Sequence, residues 1–209
     1  VSLDAPVFTL THAMGFKGVL GGEYNFNRTE ASIWKRFWLP ASWGKIDCSV
    51  KAGAEWNTVP FPLLILPEAN LSYITQRETF CLINNMEFLN DRFASMSISY
   101  DMNGKLFNRI PLLKNLKWRE MFRVRALWGT LTDKNNPFKS SNPDLFRFPT
   151  RDGKFTSFVM DPKVPYVEAS VGIYNIFKLL HVEYVHRFTY RDNPGINKNG
   201  IRFMVLMVF

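Results

Sequence analysis

The feature that most restricts how this chain can fold is an alternation with a period of two. Between Ile46 and Trp56, the residues Ile46, Cys48, Val50, Ala52, Ala54 and Trp56 alternate with Asp47, Ser49, Lys51, Gly53 and Glu55. Successive side chains of a strand point to opposite faces, so this stretch predicts a strand with one apolar and one polar face. The pattern returns in Phe93 to Met102, where Ala94, Met96, Ile98, Tyr100 and Met102 alternate with Ser95, Ser97, Ser99 and Asp101. It returns again in Phe122 to Trp128, Val167 to Ile173, Val182 to Phe188 and Ile201 to Phe209. Fainter versions span Phe8 to Phe16, Asn27 to Leu39 and Thr79 to Leu89. Together they predict about eight to nine long strands in an all-β, antiparallel chain.

Strand length separates the two architectures that share this alternation. Soluble β-sandwiches use strands of about 5 to 6 residues, whereas a tilted strand needs roughly 9 to 11 to cross a bilayer. Most stretches here run near ten or longer, and aromatic residues reach 15%, with 19 Phe among 209 residues. Aromatic side chains favour strands and gather at membrane interfaces. The longest uncharged apolar run, Val59 to Pro67, contains three prolines and cannot be a spanning helix. The expectation is a single domain over residues 1–209: the C-terminal part of a transmembrane β-barrel in a bacterial outer membrane, in contact with its lipid. Nine strands cannot close an ordinary antiparallel barrel, so either further strands lie upstream or one stretch is not a strand. The chain opens on Val1 instead of Met, so a missing leader excludes nothing.

With the apolar face toward lipid, the charged residues of these strands are expected to face the lumen. They are Arg28, Glu30, Asp47, Lys51, Glu55, Asp101, Arg123, Arg125, Glu168, Glu183 and Arg187, with Arg36, Glu87 and Arg202 on the same side. A charge turned to lipid at the bilayer midplane costs about 2 to 4 kcal/mol. Such a face either lines a watery pore or pairs internally. The proline- and asparagine-rich stretch Leu131 to Pro165 is expected as one long external loop, Asn175 to Leu179 as a periplasmic turn and Asp192 to Asn199 as an external loop. Asn57 to Asn70 and Lys105 to Lys117 then fall in the periplasm, with Pro111 to Leu116 either an amphipathic turn on the membrane surface or a segment packed against another part of the protein.

Other chemistries find little support. The net charge is +8, but Lys and Arg are spread along the chain and make no nucleic-acid patch. Cys48 and Cys81 fall on opposite strand faces, and the histidines His12, His181 and His186 are scattered, so neither a metal nor another cofactor is expected. His181 and Glu183 share a polar face and could serve as a general base, although a hydrogen-bonded pair inside the wall explains them as well.

The chain ends in Ile201, Phe203, Val205, Met207 and Phe209 on one apolar face. This resembles the closing signal that barrel-assembly machinery recognises, which makes that machinery an expected partner. Phe107-Asn108-Arg109-Ile110-Pro111-Leu112-Leu113-Lys114, Leu116-Lys117-Trp118-Arg119-Glu120, Tyr166 to Ile173 and Gly200-Ile201-Arg202-Phe203 resemble the barrel end of a Bacteroidetes outer-membrane family. Its members carry a carboxypeptidase-regulatory-like domain upstream, followed by a region of unknown function. The resemblance implies that the chain is the C-terminal part of a longer protein; the expected function is a passage, anchor or scaffold for an upstream periplasmic domain, and the residues offer no convincing catalytic constellation. More distantly the chain is similar to surface-antigen and assembly-factor barrels, which translocate or insert other proteins. Those carry a valine-arginine-glycine-aromatic motif in a loop that reaches back into the lumen; at the corresponding position, this chain has Asn90-Asp91-Arg92-Phe93. An outer-membrane hydrolase is the third alternative, and it requires a serine or aspartate converging on His181.

Overall fold

The computed structural model describes residues 5–74 and 78–205. Eight long strands form one antiparallel sheet: β1 Val7–Gly15, β2 Phe26–Trp38, β3 Lys45–Glu55, β4 Arg92–Asp101, β5 Arg119–Thr130, β8 Tyr166–Ile176, β9 Leu180–Arg187 and β10 Asn199–Val205. Between β5 and β8, a small hairpin pairs β6 Thr150–Arg151 with β7 Lys154–Phe155. The one α-helix among the described residues is α1, Pro111–Leu116, with three short 3-10 turns elsewhere. Each long strand pairs with its predecessor in the sheet, in the order β1-β2-β3-β4-β5-β8-β9-β10. The sheet is not closed; β1 and β10 are its edges.

The register separates the residues cleanly. Arg28 lies opposite Glu55, Arg36 opposite Asp47, Ser99 opposite Arg123, Arg125 opposite Glu168, and Glu183 opposite Arg202. These residues therefore share one face. The other carries Leu10, Ile33, Val50, Ile98, Val124, Val171, Tyr184 and Ile201.

Eight strands appear where the alternation counts nine because Thr79 to Leu89 is not one of them. Met86 is left-handed, with φ 58°, and the Glu87 amide closes a turn on the Asn84 carbonyl. A strand cannot continue through that geometry. Residues 56–91 instead form a single connection from β3 to β4, and most of its described residues lie across the polar face. Phe80, Ile83 and Phe88 pack there with Leu127 of β5, Tyr166 of β8 and Met160, while Val59, Leu64 and Leu89 pack with Phe148. Each side chain buried to this degree contributes about 1.5 to 3 kcal/mol. Cys81 accordingly sits on this connection with Leu82 and Val185, not on a strand face opposite Cys48. At the far side of the sheet the Phe203 amide of β10 donates to the Tyr73 carbonyl at 2.8 Å, so the connection reaches the sheet's last strand.

Losing that strand moves a loop. Asn57 to Asn70 lies at the same end as residues 131–165, not at the end occupied by Lys105 to Lys117. Residues 16–25, 56–91, 131–165 and 188–198 connect strands at the first end, and 39–44, 102–118 and 177–179 at the second. Long connections are therefore confined to one end, apart from 102–118, which contains α1.

Gly129 gives the covering connection room. A Cβ there would stand 2.4 Å from the Asn90 side chain, which is completely buried. Gly129→Val is expected to lift Asn90 off the sheet and cost about 1 to 3 kcal/mol, as overpacking does. Limited proteolysis checks this: new cleavage within residues 79–91, with the strands still protected, is the expected pattern.

Candidate functional site

Alternation sets every second residue of a strand on the polar face, several of them charged, and antiparallel pairing then brings opposite charges side by side. The half of the face formed by β2, β3 and β4 uses this directly. Arg36 holds Asp47 with two hydrogen bonds of 2.6 and 2.8 Å, and Lys45 lies 3.8 Å from Asp101. Lys51 lies between Glu30 at 3.6 Å and Glu68 at 2.5 Å, so one end of this contact belongs to the connection. Arg28 donates to the Leu63 carbonyl at 2.6 Å and stands 3.8 Å from Glu55, whose carboxylate receives the amides of Asn27 and Asn57. Apart from Arg28–Glu55, whose carboxylate is buried, these partly exposed pairs contribute about 0 to 1 kcal/mol each.

The half formed by β5, β8 and β9 is buried and much more tightly bonded. Glu168 accepts the amide of Cys81 at 2.9 and 3.1 Å, the amide of Leu82 at 3.1 Å, the Tyr166 hydroxyl at 2.9 Å and Arg125 at 3.0 Å. Arg187 grips Glu87 with both Nη atoms and donates to the carbonyls of Leu82, Thr189 and Tyr190, with its guanidinium 4.8 Å from the Tyr166 ring centre. Arg202 donates to the Cys81 carbonyl at 2.5 Å. Residues 81–87 are thus held from both sides of their backbone by a carboxylate and two guanidiniums of the sheet. Charged hydrogen bonds in a low-dielectric setting are about twice as strong as neutral ones. Burial also pushes the Cys81 thiol up, so it stays protonated in place.

Glu183 completes the buried set. It accepts from Arg123 at 3.1 Å, from the Ser170 hydroxyl, and lies 3.3 Å from His181 Nε2. Serine, histidine and carboxylate therefore do meet here, but the carboxylate sits in the middle. A nucleophilic triad needs the histidine between the serine and the acid; Ser170 instead gives its hydrogen bond to a carboxylate that is already paired with a guanidinium. All three side chains are buried. Among the described residues, no three His, Cys, Asp or Glu converge as metal ligands.

The structure sets Arg28, Glu30, Asp47, Lys51, Glu55, Asp101, Arg123, Arg125, Glu168, Glu183 and Arg187 on one face and divides them between these two halves. Glu87 joins them from the connection and not from a strand. Sequence reasoning missed the role of the backbone at Cys81 and Leu82, which has no residue-type signature. It also missed Asp91, which accepts from Asn135 and from the amide and hydroxyl of Thr132, tying the start of β4 to the 131–165 connection. Ile201, Phe203 and Val205 share the apolar face of β10, while Met207 and Phe209 lie outside the described residues.

A family model described as "Family of unknown function (DUF5686) C-terminal domain" matches residues 1–138. The matched span runs from β1 through β5 and includes the whole connection 56–91. It also contains the Asn108-Arg109-Ile110-Pro111 stretch on which the family resemblance rests most specifically. No curated protein matches the chain.

Removing one member of the Arg187–Glu87 pair leaves the other buried and uncompensated. Glu87→Gln and Arg187→Met are each expected to cost about 3 to 5 kcal/mol. The double variant should cost less than their sum, with a coupling of about 0.5 to 3 kcal/mol in a double-mutant cycle of urea midpoints. Strict additivity would show that the pair does not hold the connection.

Proposed function

We propose that this chain, which belongs to the DUF5686 C-terminal domain family, forms part of the wall of an outer-membrane β-barrel whose inner side is stopped by residues 56–91. The observation that carries this reading is an inversion of ordinary globular burial. Leu10 is 75% exposed, Val171 51% and Ile201 53%, while Arg187 and Glu183 are 0% exposed. Charged side chains are almost never fully buried unless paired, and a continuous exposed face of branched and aromatic residues marks a surface that meets a membrane or another protein. The strands β1 to β5 and β8, of 9 to 13 residues, match the span of a tilted membrane strand. Barrels of this class keep their long loops outside, which sets the end bearing 56–91 and 131–165 toward the exterior.

The role this supports is an anchor or scaffold for an upstream periplasmic domain, with passage blocked by the latched connection. An eight-stranded barrel has interior room only for its own side chains. This polar face already carries the backbone of residues 56–91, so closure takes further strands between β1 and β10. On the same reading, Ile201, Phe203 and Val205 belong to the strand that barrel-assembly machinery recognises.

One observation favours a second reading, a surface-antigen-type barrel that inserts or translocates proteins. The connection folded onto the polar face ends at Asn90 and Asp91, five strands before the C-terminus, where those barrels carry their lumen-directed loop. The counterweight is local: Arg92, the arginine of this stretch, is exposed on the apolar side of β4 and holds nothing in the interior.

Heat-modifiable migration of the full-length protein from outer membranes tests the barrel. A faster band without boiling, with external protease cutting near residues 131–165, is the expected result; a soluble protein with no shift refutes the assignment. Val171→Arg should destabilise the folded form by about 2 to 4 kcal/mol. In planar bilayers the wild type should be silent, and the combination Glu168→Ala with Arg187→Met should open a conductance. Accumulation of unassembled outer-membrane proteins on depletion would favour the second reading.

A further inference from the structure

The connections at the two ends of the sheet differ in charge as sharply as they do in length. Residues 16–25, 56–91, 131–165 and 188–198 hold ten basic and ten acidic side chains, a balanced set. Residues 39–44, 102–118 and 177–179 hold Lys105, Arg109, Lys114, Lys117 and Lys178 and no acidic side chain at all. The nearest carboxylates beyond them are Asp101, which accepts the Asn103 amide and the Tyr174 hydroxyl and lies 3.8 Å from Lys45, and Glu120, which is buried and accepts the Leu106 amide.

These three connections form one rim. Lys105 donates to the Ala41 carbonyl at 2.9 Å and lies 4.9 Å from the Trp43 ring centre, while Asn175 donates to the Lys117 carbonyl at 2.7 Å. Apolar side chains stand out from the same rim: Leu112 is 73% exposed and Phe177 86%, with Ile110, Leu116 and Trp43 also exposed. α1 and its C-cap Lys117 therefore present leucines and lysines together, and among the described residues nothing covers Leu112, Lys114, Leu116 or Lys117. A short amphipathic element with exposed leucines, flanked by lysines and by tryptophan, is the composition of a segment lying in a headgroup layer.

We infer that this rim is a docking surface for anionic phospholipid headgroups, with Arg109, Lys114, Lys117 and Lys178 paired to lipid phosphates and Leu112, Leu116 and Phe177 seated at the acyl boundary. The inference rests on the barrel reading above and adds to it the leaflet: this is the end turned to the periplasm. Charge complementarity selects the partner, since five cations with no acidic side chain among them gain nothing from a neutral surface, are repelled by a cationic one and gain most from a negatively charged layer. The alternation of charge with exposed leucine fits a bilayer better than an acidic protein, which would leave the leucines in water.

The test uses the full-length protein refolded into phosphatidylcholine vesicles with or without phosphatidylglycerol, scored by the temperature at which the unboiled band converts to the boiled one and by phospholipid retained in native mass spectrometry. Phosphatidylglycerol is expected to raise the conversion temperature and to be retained over phosphatidylcholine, with both effects weakened by salt. Each basic residue near a charged surface contributes roughly fivefold. The variant R109Q/K114Q/K117Q is therefore expected to lose its phosphatidylglycerol preference by about tenfold or more. R151Q/K154Q, at the opposite end, should keep it. A wild type that migrates as a folded barrel but shows no phosphatidylglycerol preference overturns the inference and leaves the barrel standing. So does a triple variant that retains the full preference, which would assign the rim to a protein partner. Loss of heat-modifiable migration altogether overturns the barrel reading itself.

Discussion

Glu168 is the point on which the covering of the sheet depends. Its two oxygens take the amides of Cys81 and Leu82, the hydroxyl of Tyr166 and the guanidinium of Arg125. A buried carboxylate is tolerable only when its lone pairs are filled. Here the wall supplies the positive charge, and the connection supplies two backbone donors that would otherwise be unpaired in the interior. Each side therefore meets a need of the other, and neither the polar face nor residues 79–91 has an equivalent stable arrangement alone.

The apolar face obeys the opposite rule. Among the described residues no segment folds over Val50, Val124 or Val171, and their exposure reflects a sheet whose described covering material lies on one side. The asymmetry sorts the charges too. Those toward β2, β3 and β4 pair at the margins with partial solvent access, whereas those toward β9 are sealed by the connection and gain from the lower dielectric.

Much of the sheet was legible because two-residue periodicity survives any choice of partner. Ile46 to Trp56 reads as a strand whether the charged face meets water, protein or a pore, and the register then brings Arg36 to Asp47 and Arg125 to Glu168 without further information. The same indifference explains the misreading of Thr79 to Leu89. Phe80, Leu82, Phe88 and Leu89 are apolar because they pack on the sheet from above, and an irregular segment buried this way shows the same density of large side chains as a strand. The left-handed Met86 and the Asn84–Glu87 turn lack glycine or proline to mark them. That one segment also reversed the placement of Asn57 to Asn70, since every miscounted strand inverts the ends of those before it. Glu87 was assigned to the correct face for the wrong reason, and the bonding of Glu168 to main-chain amides had no residue pattern through which to appear.

The two edge strands run in opposite directions, β1 away from the rim that bears α1 and β10 toward it. On the barrel reading proposed above, any strand added beside either edge in antiparallel fashion must be followed by a second one before the ring can be joined. The wall can therefore be enlarged or reduced in evolution only by whole hairpins. Every such change leaves the point of entry and the point of exit of the polypeptide on the same side.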